Sequence, residues 1–130
     1  MSCRNSKLIT LLCSSLLFSA CGSNEQELKI EQGRKLFEQH DIGFVEAPGC
    51  SLCHSLIKDF KLAGPSLYGI GKRAATTKAG MTAHDYLYES IVNPSVYVVD
   101  GFRHDLMYPY YENDLEVEEI ESLIAFLMTQ

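Results

Sequence analysis

The sequence predicts an all-α fold in one small domain. Three segments carry apolar residues at helical spacing, the connections between them are rich in Gly and Pro, and no run shows convincing strand alternation. The 130 residues allow one domain. Only residues 97–99 are β-prone, and that stretch is very short. Long loops in a domain of this size usually wrap something functional.

The first segment reads as an export leader. Residues 1–7 hold Arg4 and Lys7 and no acid, and residues 8–20 are thirteen mostly apolar or small residues ending in Ser19-Ala20 before Cys21. A charged start, a short apolar stretch and a small-residue cleavage site make a secretory signal. Thirteen helical residues would reach roughly 20 Å, short of a hydrocarbon core of about 30 Å. Leu17-Phe18-Ser19-Ala20-Cys21 resembles the lipobox of bacterial lipoproteins, with Phe18 where leucine is usual. That resemblance implies acylation of Cys21 and a membrane anchor, because several acyl chains hold firmly where one binds marginally. The alternative is an ordinary signal that happens to contain Cys21. The expected division is a leader at 1–20, a lipidated tether at 21–27 and a domain at 28–130.

Three helices are expected in that domain. The first covers residues 28–39, with Ile30, Gly33 and Phe37 on one face. Gly33 is costly in a helix interior, which points to close approach by another helix. The second covers residues 83–92: Thr82 and Asp85 form a capping-box start, Leu87 and Ile91 a buried stripe, and Asn93-Pro94 a stop. The third covers residues 116–128, with Val117, Ile120, Leu123, Ile124 and Leu127 as its apolar face. Glu116, Glu118 and Glu119 crowd its first turn, where negative charge suits the helix dipole. Gly64-Pro65-Ser66 and Gly69-Ile70-Gly71 read as turns.

The chain carries a net charge of −6, and loss of Arg4 and Lys7 with the leader leaves 9 basic against 17 acidic residues, or −8. Such a balance argues against nucleic acid as a partner. Charge is unevenly spread. Residues 58–78 hold Lys58, Lys61, Lys72, Arg73 and Lys78 against Asp59 alone, while residues 105–121 hold seven acids and no base. The simplest account is two solvated surfaces.

Cys3 and Cys13 leave with the leader and Cys21 would be lipidated, so Cys50 and Cys53 remain and no disulfide framework is available. Cys50-Ser51-Leu52-Cys53-His54 matches the haem c attachment pattern. Two thiols three positions apart on a helical turn can each bond one of the two vinyl groups on one edge of a haem, and the adjacent His54 then lies under the ring to ligate iron. A thioredoxin-like Cys-x-x-Cys would want a preceding strand, and a structural zinc site would want a second ligand pair; neither is present. One covalent haem would also fill the core of a domain on the small side for stability. A pure electron carrier needs a second axial ligand, and methionine sulfur there raises the reduction potential. The candidates after His54 are Met81, His84, His104, Met107 and Met128.

These residues resemble class I cytochromes c, most closely the cytochrome c domain of bacterial cytochrome oxidase subunit II chains. The resemblance runs from about residue 31 to the C-terminus. It rests on Gly33 and Phe37, Cys50-Ser51-Leu52-Cys53-His54, Gly64-Pro65-Ser66-Leu67-Tyr68-Gly69, Asn93-Pro94, Gly101-Phe102, Met107, and Leu115 before a Glu-rich last helix. It implies three to four helices and loops wrapped around one haem c. It also implies thioethers at Cys50 and Cys53, His54 as proximal ligand, and a Pro65 carbonyl accepting the other His54 ring N–H. Tyr68 belongs to the same cofactor-binding motif, Gly33 and Phe37 would pack near Leu123 and Phe126, and Met107 would be the distal ligand. Three departures stand out. Met107-Tyr108-Pro109 replaces Met directly followed by Pro, so that family register puts Tyr108 on the ligand position, with His104 a further alternative to Met107. Residues 40–48 read as an insert without a functional account, and the expectation is a free-standing module without the copper domain of those oxidase subunits.

The function expected is electron transfer, not catalysis, by an exported, membrane-anchored lipoprotein facing the periplasm or cell exterior. Its partners would be redox proteins such as a terminal oxidase or reductase, with an acidic partner docking on the basic residues of 58–78. The competing function is a haem enzyme or gas sensor with an open or weakly held sixth position, motivated by the shifted Met107 and by Tyr108, Tyr110 and Tyr111.

Overall fold

The C-terminal helix organises the domain. In the computed structural model, which describes the backbone of residues 20–130 and side chains from residue 24 on, this helix buries Ile120, Leu123, Ile124, Phe126 and Leu127. The expected leader, apart from Ala20, and the side chain of Cys21 lie outside the described residues. Among the described residues the fold is mostly helical, with α1 (Ala20–Glu38), α2 (Ile70–Thr77), α3 (Ala83–Val92), α4 (Tyr111–Asp114) and α5 (Val117–Leu127). One two-stranded antiparallel sheet joins β1 (Asp41–Ile42) to β2 (Ala47–Pro48). No described helix is long and apolar enough to cross a membrane.

Helix α1 begins at Ala20 instead of residue 28, so the backbone of the segment read as a tether is helical. Asn24 to Leu28 are exposed and carry no apolar stripe, which left periodicity silent there. Glu25, Gln26 and Glu27 nonetheless favour the helix intrinsically. On its outer side Arg34 donates to Glu31 at 2.7 and 2.9 Å and to Glu38 at 2.7 Å. Pairs at this spacing contribute a few tenths of a kcal/mol each, so packing decides where the helix sits.

That packing is against α5. A Cβ on Gly33 would stand 1.8 Å from the Ser122 carbonyl oxygen and 2.9 Å from Phe126 Cβ. One turn on, the Phe37 and Phe126 rings meet at 5.5 Å between centroids. Gly33→Ala is therefore expected to destabilise the protein although alanine is the better helix former by about 1 kcal/mol. Backbone cannot move aside like the end of a side chain, and overpacking costs about 1–3 kcal/mol net. The check is a lower melting temperature; an unchanged one would mean that α1 and α5 separate without cost.

Thr82 caps α3 as expected, its hydroxyl accepting from the Asp85 N–H at 3.1 Å, and Asn93 ends it. Glu116 caps α5 in a reciprocal capping box with Glu119. Val117, expected on the apolar face, is 60 % exposed because it occupies the first turn, ahead of the contact with α1; Phe126 joins the face instead. Helix α2 replaces the expected turn at residues 69–71. Gly69 supplies the turn at φ +67°, while Gly71 allows contact with the end of α5, where a Cβ would lie 2.3 Å from the Met128 carbonyl.

Residues 40–48, expected as an insert, form a hairpin. Its strands pair Asp41 with Pro48 and Ile42 with Ala47, too short to leave an alternating signal. Ile42 and Ala47 are buried, and the hairpin is tied down at both ends. The Phe44 N–H donates to the Asp114 carbonyl at 3.1 Å, and the Tyr111 hydroxyl donates to the Pro48 carbonyl at 2.5 Å. Gly43, at φ +73°, lies so close to Asp114 that a Cβ would sit 2.2 Å from that carbonyl.

Candidate functional site

Directly after the hairpin the chain makes a single 3-10 turn, Cys50–Leu52, closed by N–H bonds from Cys53 at 3.2 Å and His54 at 2.9 Å to the Cys50 carbonyl. This turn brings Cys50, Cys53 and His54 to one cavity, with about 1050 Å³ of empty space including its open mouth. Phe37 of α1, Leu87 and Ile91 of α3, and Leu123 and Leu127 of α5 form its inner wall. Met107 comes to it from the loop before α4. A second cavity, with about 700 Å³ of empty space including its open mouth, shares Cys50, Cys53, His54 and Met107 and adds Tyr108 and Tyr111.

The His54 ring is fixed from two sides. A carbonyl can only accept, so His54 Nδ1 carries the proton it donates to the Pro65 carbonyl at 2.9 Å, leaving Nε2 with a lone pair. Burial lowers the pKa of His54, which favours this neutral form, while the Pro65 bond opposes the shift in part. Gly64 leaves room for the ring: a Cβ there would be 2.5 Å from Cε1. The loop holds its place through the Gly64 N–H on the Cys53 carbonyl at 2.8 Å and the Leu67 N–H on the Ser55 carbonyl at 2.7 Å. Burial pushes the Cys50 thiol up to about 12, so it stays protonated in the protein as it stands.

Among the expected distal candidates, Met107 alone lines these cavities. His104 is exposed and lines neither. Met81 and Met128 also stand outside them, and His84 bonds Glu121 at 3.0 Å on the far side of α3 and α5. Tyr108 reaches the second cavity, but its hydroxyl donates to Asp114 Oδ2 at 2.5 Å. The Asp114 carboxylate raises the Tyr108 pKa and so keeps that hydroxyl a donor.

Pro65 stands where the motif puts it, but Tyr68 does not join the site. It is 53 % exposed and outside both cavity linings. Leu67 takes the inward position, and the Arg73 guanidinium holds the Ser66 and Tyr68 carbonyls on the outside. Arg103 also lines the main cavity, a placement without a signal in the sequence because the residue lies in an irregular loop. None of the basic residues of the 58–78 segment lines either of these two cavities. Lys78 pairs with Glu89 at 2.5 Å, whereas Lys61 Nζ lies 5.6 Å over the ring of Phe102, itself part of the main lining. Lys58, Lys61 and Lys72 are exposed.

No protein-family model matches the chain, and no curated protein matches it.

Proposed function

We propose that this chain is a mono-haem c-type cytochrome of class I that carries single electrons. One observation carries the reading: two thiols, a neutral imidazole with its Nδ1 already bonded, and a thioether all meet at one apolar cavity. The residues present fit the group. Cys50 and Cys53 would hold it by thioethers, His54 Nε2 and Met107 Sδ would be the axial ligands, and Gly64 leaves the imidazole its space. Bound there, the haem supplies one-electron redox chemistry, while the protein supplies binding, orientation and electrostatics. Phe37, Leu87, Ile91, Leu123 and Leu127 would exclude water from the inner side, and Arg103 at the cavity lining would offer a cation to a bound haem's carboxylates.

Export and acylation at Cys21 belong to the same reading, since haem c is attached outside the cytoplasm. The partner would be another redox protein, such as a membrane oxidase or reductase. Lys58, Lys61 and Lys72 offer it a basic contact, with Lys61 next to the cavity wall through Phe102. Exchange with an acidic partner should slow as salt is added. A rate indifferent to ionic strength would remove this contact from the account.

The competing reading, a haem enzyme or gas sensor, needs an open sixth position. The placement of Met107 at both cavities argues for a closed one. Carbon monoxide should therefore bind the reduced protein slowly and weakly. Rapid, tight binding would replace the carrier by the sensor.

A further inference from the structure

We infer that Tyr108 and Asp114, backed by the hairpin of residues 40–48, are positioning residues that hold Met107 in place as the distal ligand. The inference rests on the haem reading above and gives the insert a function.

The segment that carries Met107 has little of its own to hold it. Residues 103–109 make no backbone–backbone hydrogen bond among the described residues. Two side-chain bonds tie the segment down. At one end Ser95 Oγ donates to Asp105 Oδ1 at 2.9 Å, where Asp105 adopts φ +58°. At the other, directly beside Met107, the Tyr108 hydroxyl donates to Asp114 Oδ2 at 2.5 Å. A left-handed non-glycine residue persists only where its surroundings over-determine it, so these ties bear on the path of the whole loop.

Asp114 is in turn anchored. It is 9 % exposed, and its own carbonyl accepts the Phe44 N–H of the hairpin tip at 3.1 Å. Gly43 presses on the same carbonyl. The other end of the hairpin is bound by Tyr111, whose ring packs on that of Tyr108 at 5.0 Å between centroids. The insert thus backs Asp114 and Tyr111, two of the residues that touch Tyr108. This also gives a reason for a residue between Met107 and Pro109: the added tyrosine is the one that reaches Asp114.

The test compares holoprotein variants by two readouts, the red-edge absorption band of sulfur-ligated ferric haem and the affinity of added imidazole for the ferric form. Tyr108→Phe keeps the ring and removes only the hydroxyl, so it should fold. It should weaken the band and let imidazole bind about ten-fold tighter, as expected for loss of a hydrogen bond to a charged group. Asp114→Ala should do the same, Asp114→Asn, which keeps an acceptor for the Tyr108 hydroxyl, should fall between Asp114→Ala and wild type, and Gly43→Ala should act from the hairpin in the same direction as Asp114→Ala. Thr82→Ala, which removes the exposed cap at the start of α3 and lines neither cavity, should lower the melting temperature and leave both readouts unchanged. Full band and unchanged imidazole affinity in Tyr108→Phe and Asp114→Ala would overturn the inference. So would an equal rise in imidazole affinity in Thr82→Ala. A wild type without the band overturns the Met107 assignment itself, a failure distinct from failure of the brace.

Discussion

Met107→Ala should abolish the red-edge band of the ferric protein and open the sixth position to carbon monoxide. The thioether is the one soft donor among the expected candidates that reaches the cavities, so no neighbouring sulfur can take its place. His104 is exposed, and the Tyr108 hydroxyl is engaged by Asp114. Methionine sulfur favours the ferrous state, so its loss should also lower the reduction potential, within the span of about 0.8 V that axial ligands command. The change is far larger than any surface substitution should produce. Retention of both band and potential would reassign the ligand and reopen the sensor reading. Met107→His is the informative companion: it should restore six-coordination and exclude carbon monoxide, but leave the potential low.

A second large effect is expected from removing the covalent links. Cys50→Ala/Cys53→Ala, exported and purified without haem, should lose cooperative unfolding. The cavity is walled by side chains from α1, α3 and α5, the helices that supply most of the core. Without a filler, these apolar walls lack partner atoms on one side, and unfilled space costs stability in cores. A domain of this size has little reserve against such a loss. The expected picture is retained helical signal in the far ultraviolet, lost near-ultraviolet signal and a broad thermal transition. A haem-free variant with a sharp transition near that of the holoprotein would mean that the core closes without a filler.

The gathering of Cys50, Cys53 and His54 at one place was legible because it depends on local spacing. Cys50, Cys53 and His54 sit on one turn, and a turn is fixed by a few consecutive residues. The ends of α3 and α5 were legible for a similar reason, since Thr82, Asn93 and Glu116 act on the backbone within a few residues. Gly33 announced a close contact, and the Ser122 carbonyl is there to make it. The unread parts depend on partners distant in sequence. Gly71 looks like a turn residue until the C-terminus of α5 is placed against it. The hairpin leaves two-residue strands, below the length at which alternation becomes visible. Asp114 is one acid in an acidic stretch, and only the fold turns it toward Tyr108. Tyr68 stands outside the cavities for a related reason: its motif fixed the neighbourhood, but the inward side chain is Leu67.

The central claim is that Cys50 and Cys53 carry a haem, and it is tested most directly by the intact mass of the exported chain made in a host that attaches haem c. The account predicts a gain of one haem mass that survives denaturing extraction and disappears in Cys50→Ala/Cys53→Ala. A wild-type chain exported from such a host with two free thiols and no added mass would contradict it.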